Sequence, residues 1–183
     1  MLFNLLIMKK KKVILFYDQI KIILLIILIC LHVQGCSSGG DYDKDLSGNY
    51  FYDDEGSDAK SIICHLPDCK NIYSKVISFD YNKDFIIAAQ QPIYNEYKNS
   101  VAFELRNDLK KYPTNSKEEI TQSEKVADSI LKHDPYYQRI FLHKINYWII
   151  SHKNKQVFGP CTEDEYIQKR KELKVPDNLK LDL

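Results

Sequence analysis

The sequence predicts an α+β domain: an antiparallel sheet built from hairpins, with two or three helices between and after the strands. Three observations predict it. Two stretches rich in aromatic and β-branched residues double back across polar turns, at residues 77–89 and 147–158. Two Ser/Thr-x-x-Glu patterns, at Ser116 and Thr162, stand before helical segments. The chain beyond residue 35 is one domain's worth, about 150 residues, enough to bury a single core.

Taken in order, a strand opens at Asn49-Tyr50-Phe51-Tyr52 after Gly48, and a second follows at Ser61-Ile62-Ile63-Cys64. The clearest hairpin comes next. Ile77, Phe79 and Tyr81 alternate with Ser78 and Asp80, Asn82-Lys83-Asp84 supplies a turn, and Phe85-Ile86-Ile87-Ala88-Ala89 returns at the centre of the sheet. Asn95 to Lys111 is ambiguous, because Val101, Phe103 and Leu105 alternate as a strand would while the flanks carry charge. A helix begins at Ser116, whose partner in the capping pattern is Glu119; Ile120, Ser123, Ala127, Ile130 and Leu131 share one face until Asp134-Pro135 interrupts. Tyr147-Trp148-Ile149-Ile150 and Gln156-Val157-Phe158 flank the turn His152-Lys153-Asn154-Lys155, and Gly159-Pro160 ends the pair. Thr162 with Glu165 starts the last helix, acidic in its first turn and basic toward its end as the helix dipole favours, and Val175-Pro176 stops it.

The N-terminal segment has the grammar of an export signal. Lys9 to Lys12 precede a mixed block from Val13 to Lys21, and an apolar run follows from Ile22 to Leu31. That run is shorter than the ~20 residues a spanning helix needs. Extending it back to Val13 draws in Asp18 and Lys21, each costing about 2.5–3.5 kcal/mol near a helix centre; near an end that cost is bearable, so a retained anchor is the alternative. Met8 is a second candidate start beside Met1, and either keeps the signal. Val33-Gln34-Gly35-Cys36 resembles the lipobox cut by lipoprotein signal peptidase, although Gln34 and Val33 depart from the usual residues. The resemblance implies that residues 1–35 are a signal peptide and that Cys36 carries the lipid. Residues 36–47 are then expected to be a flexible acidic tether and 48–183 the globular domain. The expected address is the cell envelope, lipid-anchored to a membrane, the outer membrane if the host has one.

Charge narrows the partners. The chain carries +1 in all, and five lysines against Asp18 before Cys36 leave −3 for the remainder, which argues against a nucleic-acid partner. Cys30 leaves with the signal and Cys36 takes lipid, so Cys64, Cys69 and Cys161 remain. In an oxidising compartment that odd number allows one bridge, and Cys64 with Cys69 is the preferred pair; a reducing host would leave three thiols.

At Tyr147-Trp148-Ile149-Ile150, Val157-Phe158-Gly159-Pro160, Thr162 to Tyr166 and Val175-Pro176, the sequence resembles a family of small bacterial lipoprotein domains of unknown function, and Val76 to Gln91 resembles that family's earlier hairpin. The resemblance covers about half of the mature chain and implies an address and a fold class. A local likeness to GYF-type peptide-binding modules lies in the tryptophan strand, Gly-Pro and capped helix, a pattern that a hairpin-to-helix connection also gives.

No constellation specifies a reaction. Cys64, His65 and Cys69 fall short of the four ligands of a structural zinc site, and His143, His152 or Cys161 would have to converge by folding, so no metal and no cofactor is expected. Cys161, just before a helix N-terminus, is placed as a nucleophile can be, but no base stands near it in sequence. His133 and His143 read as ordinary surface or half-buried residues, and scattered carboxylates as solvated surface. Tyr147 and Trp148 fall on opposite strand faces, so one is expected in the core and the other, with Phe158, on a contact surface. The expected function is a membrane-anchored, non-enzymatic binding module for a protein, peptide or glycan; the alternatives are a small envelope hydrolase and an immunity or inhibitor lipoprotein.

Overall fold

Seven strands pair into two antiparallel sheets in the computed structural model, which describes residues 42–66, 69–108 and 113–183. The first sheet has the order β1 (Tyr42–Ser47), β2 (Tyr50–Asp54), β3 (Lys60–Cys64). The second has the order β4 (Val76–Tyr81), β5 (Phe85–Gln90), β6 (Asn146–Ser151), β7 (Gln156–Cys161). Helices α1 (Tyr94–Asp108), α2 (Lys117–His133) and α3 (Pro135–Ile140) lie between β5 and β6, and α4 (Glu163–Leu173) follows β7. The α+β class holds, with two sheets where one was expected and four helices among the described residues.

Alternation along β5 and β6 decides the layering. Ile86, Ala88, Trp148 and Ile150 face a core shared with Leu46, Tyr50, Tyr52 and Ile62 of the first sheet and with Tyr97 and Val101 of α1. Ile87, Ala89, Tyr147 and Ile149 face the other way, into a second core closed by Tyr166 of α4 and by Val175 and Leu179 of the C-terminal segment. Both faces of the central pair are therefore covered, which is why its strands read as unbroken apolar runs.

One ambiguity is settled and three expectations need correction, the first being that β7 runs on through Gly159-Pro160 to Cys161, which pairs with Tyr147, where that dipeptide was expected to end the hairpin. The ambiguous stretch is the helix α1, with Tyr97, Val101 and Ala102 buried and Phe103 exposed. Its apolar residues Tyr94, Tyr97, Val101 and Leu105 recur at helical spacing, and the 101/103/105 alternation is incidental. Tyr42 to Ser47, expected as tether, is the edge strand β1, anchored by the fully buried Leu46. Pro135 opens a helix as well as closing one: Asp134 caps α3 by accepting from the Tyr136 N–H, with proline in the first turn.

The capping patterns are present in two forms. Thr162 and Glu165 form a reciprocal capping box, and Glu165 is gripped in addition by Arg139 at 2.8 and 2.9 Å. At α2, Ser116 accepts from the Glu119 N–H as expected, but the buried Glu119 carboxylate reaches one residue further back, to the Asn115 N–H. The C-terminal segment runs along β4, where the Lys180 N–H donates to Asp80 and the Asp182 N–H to Ser78, each at 2.9 Å.

Candidate functional site: a groove between two sheets

Residues distant in sequence converge on one concave surface of about 910 Å³. Its walls are the β1–β2 turn (Gly48, Asn49, Tyr50), the segment after β3 (Leu66, Cys69, Lys70) and the β6–β7 hairpin from Ile150 to Phe158. The volume is in the range of small-ligand pockets.

A clamp of three turns fixes one wall. The Ser47 hydroxyl donates to the Asn82 carbonyl and lies 2.9 Å from His152 Nε2. Its single proton is committed to the carbonyl, so Nε2 carries the hydrogen and donates to Ser47. The His152 N–H donates to the Asp84 carbonyl at 3.0 Å, which ties the β6–β7 turn to the β4–β5 turn. Gly48 has φ +60°, and a Cβ there would lie 2.2 Å from His152 Nδ1, so only glycine lets the turn close over the imidazole.

Burial holds His152 below its ordinary value of 6.5, and the charge of Asp84 opposes this only in part. The unfolded chain therefore binds the proton first as pH falls, so this residue's contribution is intact above about pH 6.5 and is lost as pH drops through the lower folded-state value. His152→Gln keeps an N–H donor for Ser47 but does not titrate. We expect the wild type to lose more stability than this variant between pH 7.5 and 5.5 in urea titrations; equal losses would refute the assignment.

The opposite wall is tied covalently. Cys64 and Cys69 are disulfide-bonded, with Cα atoms 5.8 Å apart. The Cys64 N–H donates to Asn71 Oδ1 at 2.9 Å, and the Asn71 amide donates to Tyr73 Oη and to Glu104. His65 stacks on Phe51 at 4.6 Å, and Lys70 Nζ lies 4.7 Å above the Tyr136 ring.

The charge of the groove departs from that of the domain. Lys70 and Lys155 line it, and among the described residues no carboxylate does. A second concavity of about 550 Å³, between the first sheet and α1, has the opposite character, with Asp53, Glu55, Glu96 and Glu104 beside Arg106.

Of the aromatic contact surface expected at Tyr147, Trp148 and Phe158, only Phe158 reaches the groove. Trp148 is fully buried, and Tyr147 is buried against Tyr166 with ring centroids 5.1 Å apart. The expectation that one of the two faces solvent fails because α4 covers the face that a one-layer reading leaves open. Phe158 is half-buried, with Lys169 Nζ 5.6 Å from its ring.

Cys161 is a buried free thiol, and burial pushes it above its ordinary value, with Glu165 adding to the rise. It is protonated at neutral pH and is a poor nucleophile. Alkylation of the folded, non-reduced protein should leave Cys161 unmodified; denaturation should expose it, and reductant should add Cys64 and Cys69. Labelling of all three without reductant would exclude the bridge. His133 lies exposed on α2, its Nδ1 2.8 Å from the Ser129 carbonyl, and His143 is half-buried. Among the described residues no group of three or more His, Cys, Asp or Glu side chains could hold a metal ion. Cys36 and the leader lie outside the described residues.

Fold and site together define a small α+β domain of two antiparallel sheets that presents a groove lined by Lys70 and Lys155. The chain belongs to the family described as Protein of unknown function (DUF3997), whose model matches residues 48–182. No curated protein and no solved structure matches it.

Proposed function

We propose that this protein is a membrane-anchored envelope lipoprotein whose folded domain is a non-enzymatic binding module. The observation that carries the binding role is the groove: a concavity walled by Tyr50, Leu66, Val157 and Phe158, held by the Ser47–His152–Asn82 clamp on one side and the Cys64–Cys69 bridge on the other. Apolar walls with a few placed polar groups are the usual make-up of a ligand-binding pocket. The anchor is supported by the lysine-led apolar leader and by Gly35-Cys36. No helix among the described residues is long and apolar enough to cross a membrane, so attachment in this reading falls to the N-terminal segment. Acyl chains at Cys36 contribute about 0.8 kcal/mol per buried CH₂, and two or more make release slow.

Metabolic labelling with a fatty-acid precursor tests the anchor. Label is expected on the wild type and absent from Cys36→Ala, which should also retain its leader; an unlabelled wild type with the leader attached refutes it. Cross-linking in envelope extracts tests the binding role: a specific partner should be recovered by the wild type, and repeated failure to recover one counts against it.

A further inference from the structure

The groove's chemistry and its position on the sheet point to one kind of occupant. We propose that it binds an extended peptide bearing acidic side chains, which adds as a strand to the open edge of β7 at Gln156–Phe158. This deepens the binding reading above and rests on it.

Charge complementarity is the first support. Lys70 and Lys155 line the groove, with no carboxylate beside them among the described residues, on a chain whose portion from Cys36 onward carries −3. A local reversal of sign on an acidic domain draws negative groups to that face and repels them from others.

The strand edges give the second, independent support. The outer edge of β3 is bridged by Ile62 and Ile72 through reciprocal hydrogen bonds of 2.8 and 2.9 Å. On β4 the Asp80 and Ser78 side chains are held by backbone N–H groups of the C-terminal segment, which lies against that strand's second-core face. The edge of β1 displays the exposed Asp43 and Asp45, which repel an acidic strand. β7 ends the second sheet, and its Gln156, Val157 and Phe158 all line the groove. An incoming strand hydrogen-bonds along this edge while alternate side chains meet Val157 and Phe158 or the two lysines. Gly159 and Pro160 close the register beyond Phe158, since proline offers no N–H to a ladder.

The test screens a display library of extended octapeptides, random at alternate positions, against the full chain in detergent. Selected peptides should be enriched at least tenfold in Asp and Glu, and the enrichment should vanish with Lys70→Glu/Lys155→Glu. A selected peptide N-methylated on the edge-facing amides should bind at least tenfold more weakly, and binding should weaken with added salt. Retained cooperative unfolding through Trp148 fluorescence establishes that the variant is folded. Absence of acidic enrichment, indifference to the lysine changes or indifference to N-methylation overturns the proposal. So does lysine-dependent binding of phosphatidylglycerol vesicles in place of peptide. If the peptides fail while envelope cross-linking still recovers a partner, the acidic-strand proposal falls and the binding module stands; if both fail, the binding module falls as well.

Discussion

Gln90→Leu is expected to destabilise the domain by about 3–5 kcal/mol, the largest single effect of any side-chain replacement described above. Gln90 is fully buried and serves four partners. Its Nε2 donates to the Tyr73 carbonyl and to Tyr97 Oη, both at 2.6 Å, and its Oε1 accepts from Trp148 Nε1 at 3.0 Å and Asn146 Nδ2 at 3.3 Å. These partners sit on the segment before β4, on α1 and on β6, so one amide links the second sheet to the helix packed over it. Leucine of similar volume fills the space but leaves the indole N–H and the Tyr73 carbonyl dry and unpaired. A buried group left without a partner costs about 1–3 kcal/mol. Little slack is available nearby, because Asn146 Oδ1 already has no hydrogen-bond partner among the described residues. Trp148, the single tryptophan, reports unfolding directly, and an unfolding free energy from urea titration within about 1 kcal/mol of wild type would contradict the role given to Gln90.

Gly159→Ala is expected to cost at least about 3 kcal/mol, by a different mechanism. Gly159 has φ +141°, and a Cβ there would lie 2.5 Å from Trp148 Cε3, 2.8 Å from Cδ2 and 2.9 Å from the Tyr147 carbonyl oxygen. The indole is fully buried and the carbonyl is backbone, so neither yields cheaply. The β6–β7 register shifts between Tyr147 and Ile149, beside this contact. Gly56 supplies the control: its φ is +90°, but no atom lies within 4 Å of a Cβ built there, so Gly56→Ala meets backbone strain alone, about 1–2 kcal/mol. Similar losses for the two variants would mean that the approach to Trp148 does not matter.

What the sequence revealed, and what it hid, follows from how local each signal is. The hairpins at residues 77–89 and 147–158 and the two helix caps were legible because their evidence lies within a few residues. α1 was obscured because Val101, Phe103 and Leu105 satisfy a two-residue period over a short window while the helical face needs Tyr94 to Leu105 to be seen. β1 was hidden by its aspartates, which suit an exposed edge strand as well as they suit a linker. The burial of Tyr147 together with Trp148 depends on which layer covers each strand face, and that is settled by the distant α4. The groove was the least legible of all, for its walls come from residues near 48, 70 and 155, and only Phe158 among them had been singled out as a contact residue.

The C-terminal residues that pair with Asp80 and Ser78 have a practical consequence for handling the protein. A chain trimmed before Lys180 would lose both bonds and uncover the apolar second core on that side, where Leu181 packs, giving a second molecule a greasy surface to stick to. Affinity handles fused at that end should preserve Lys180 to Asp182 and be joined through a spacer.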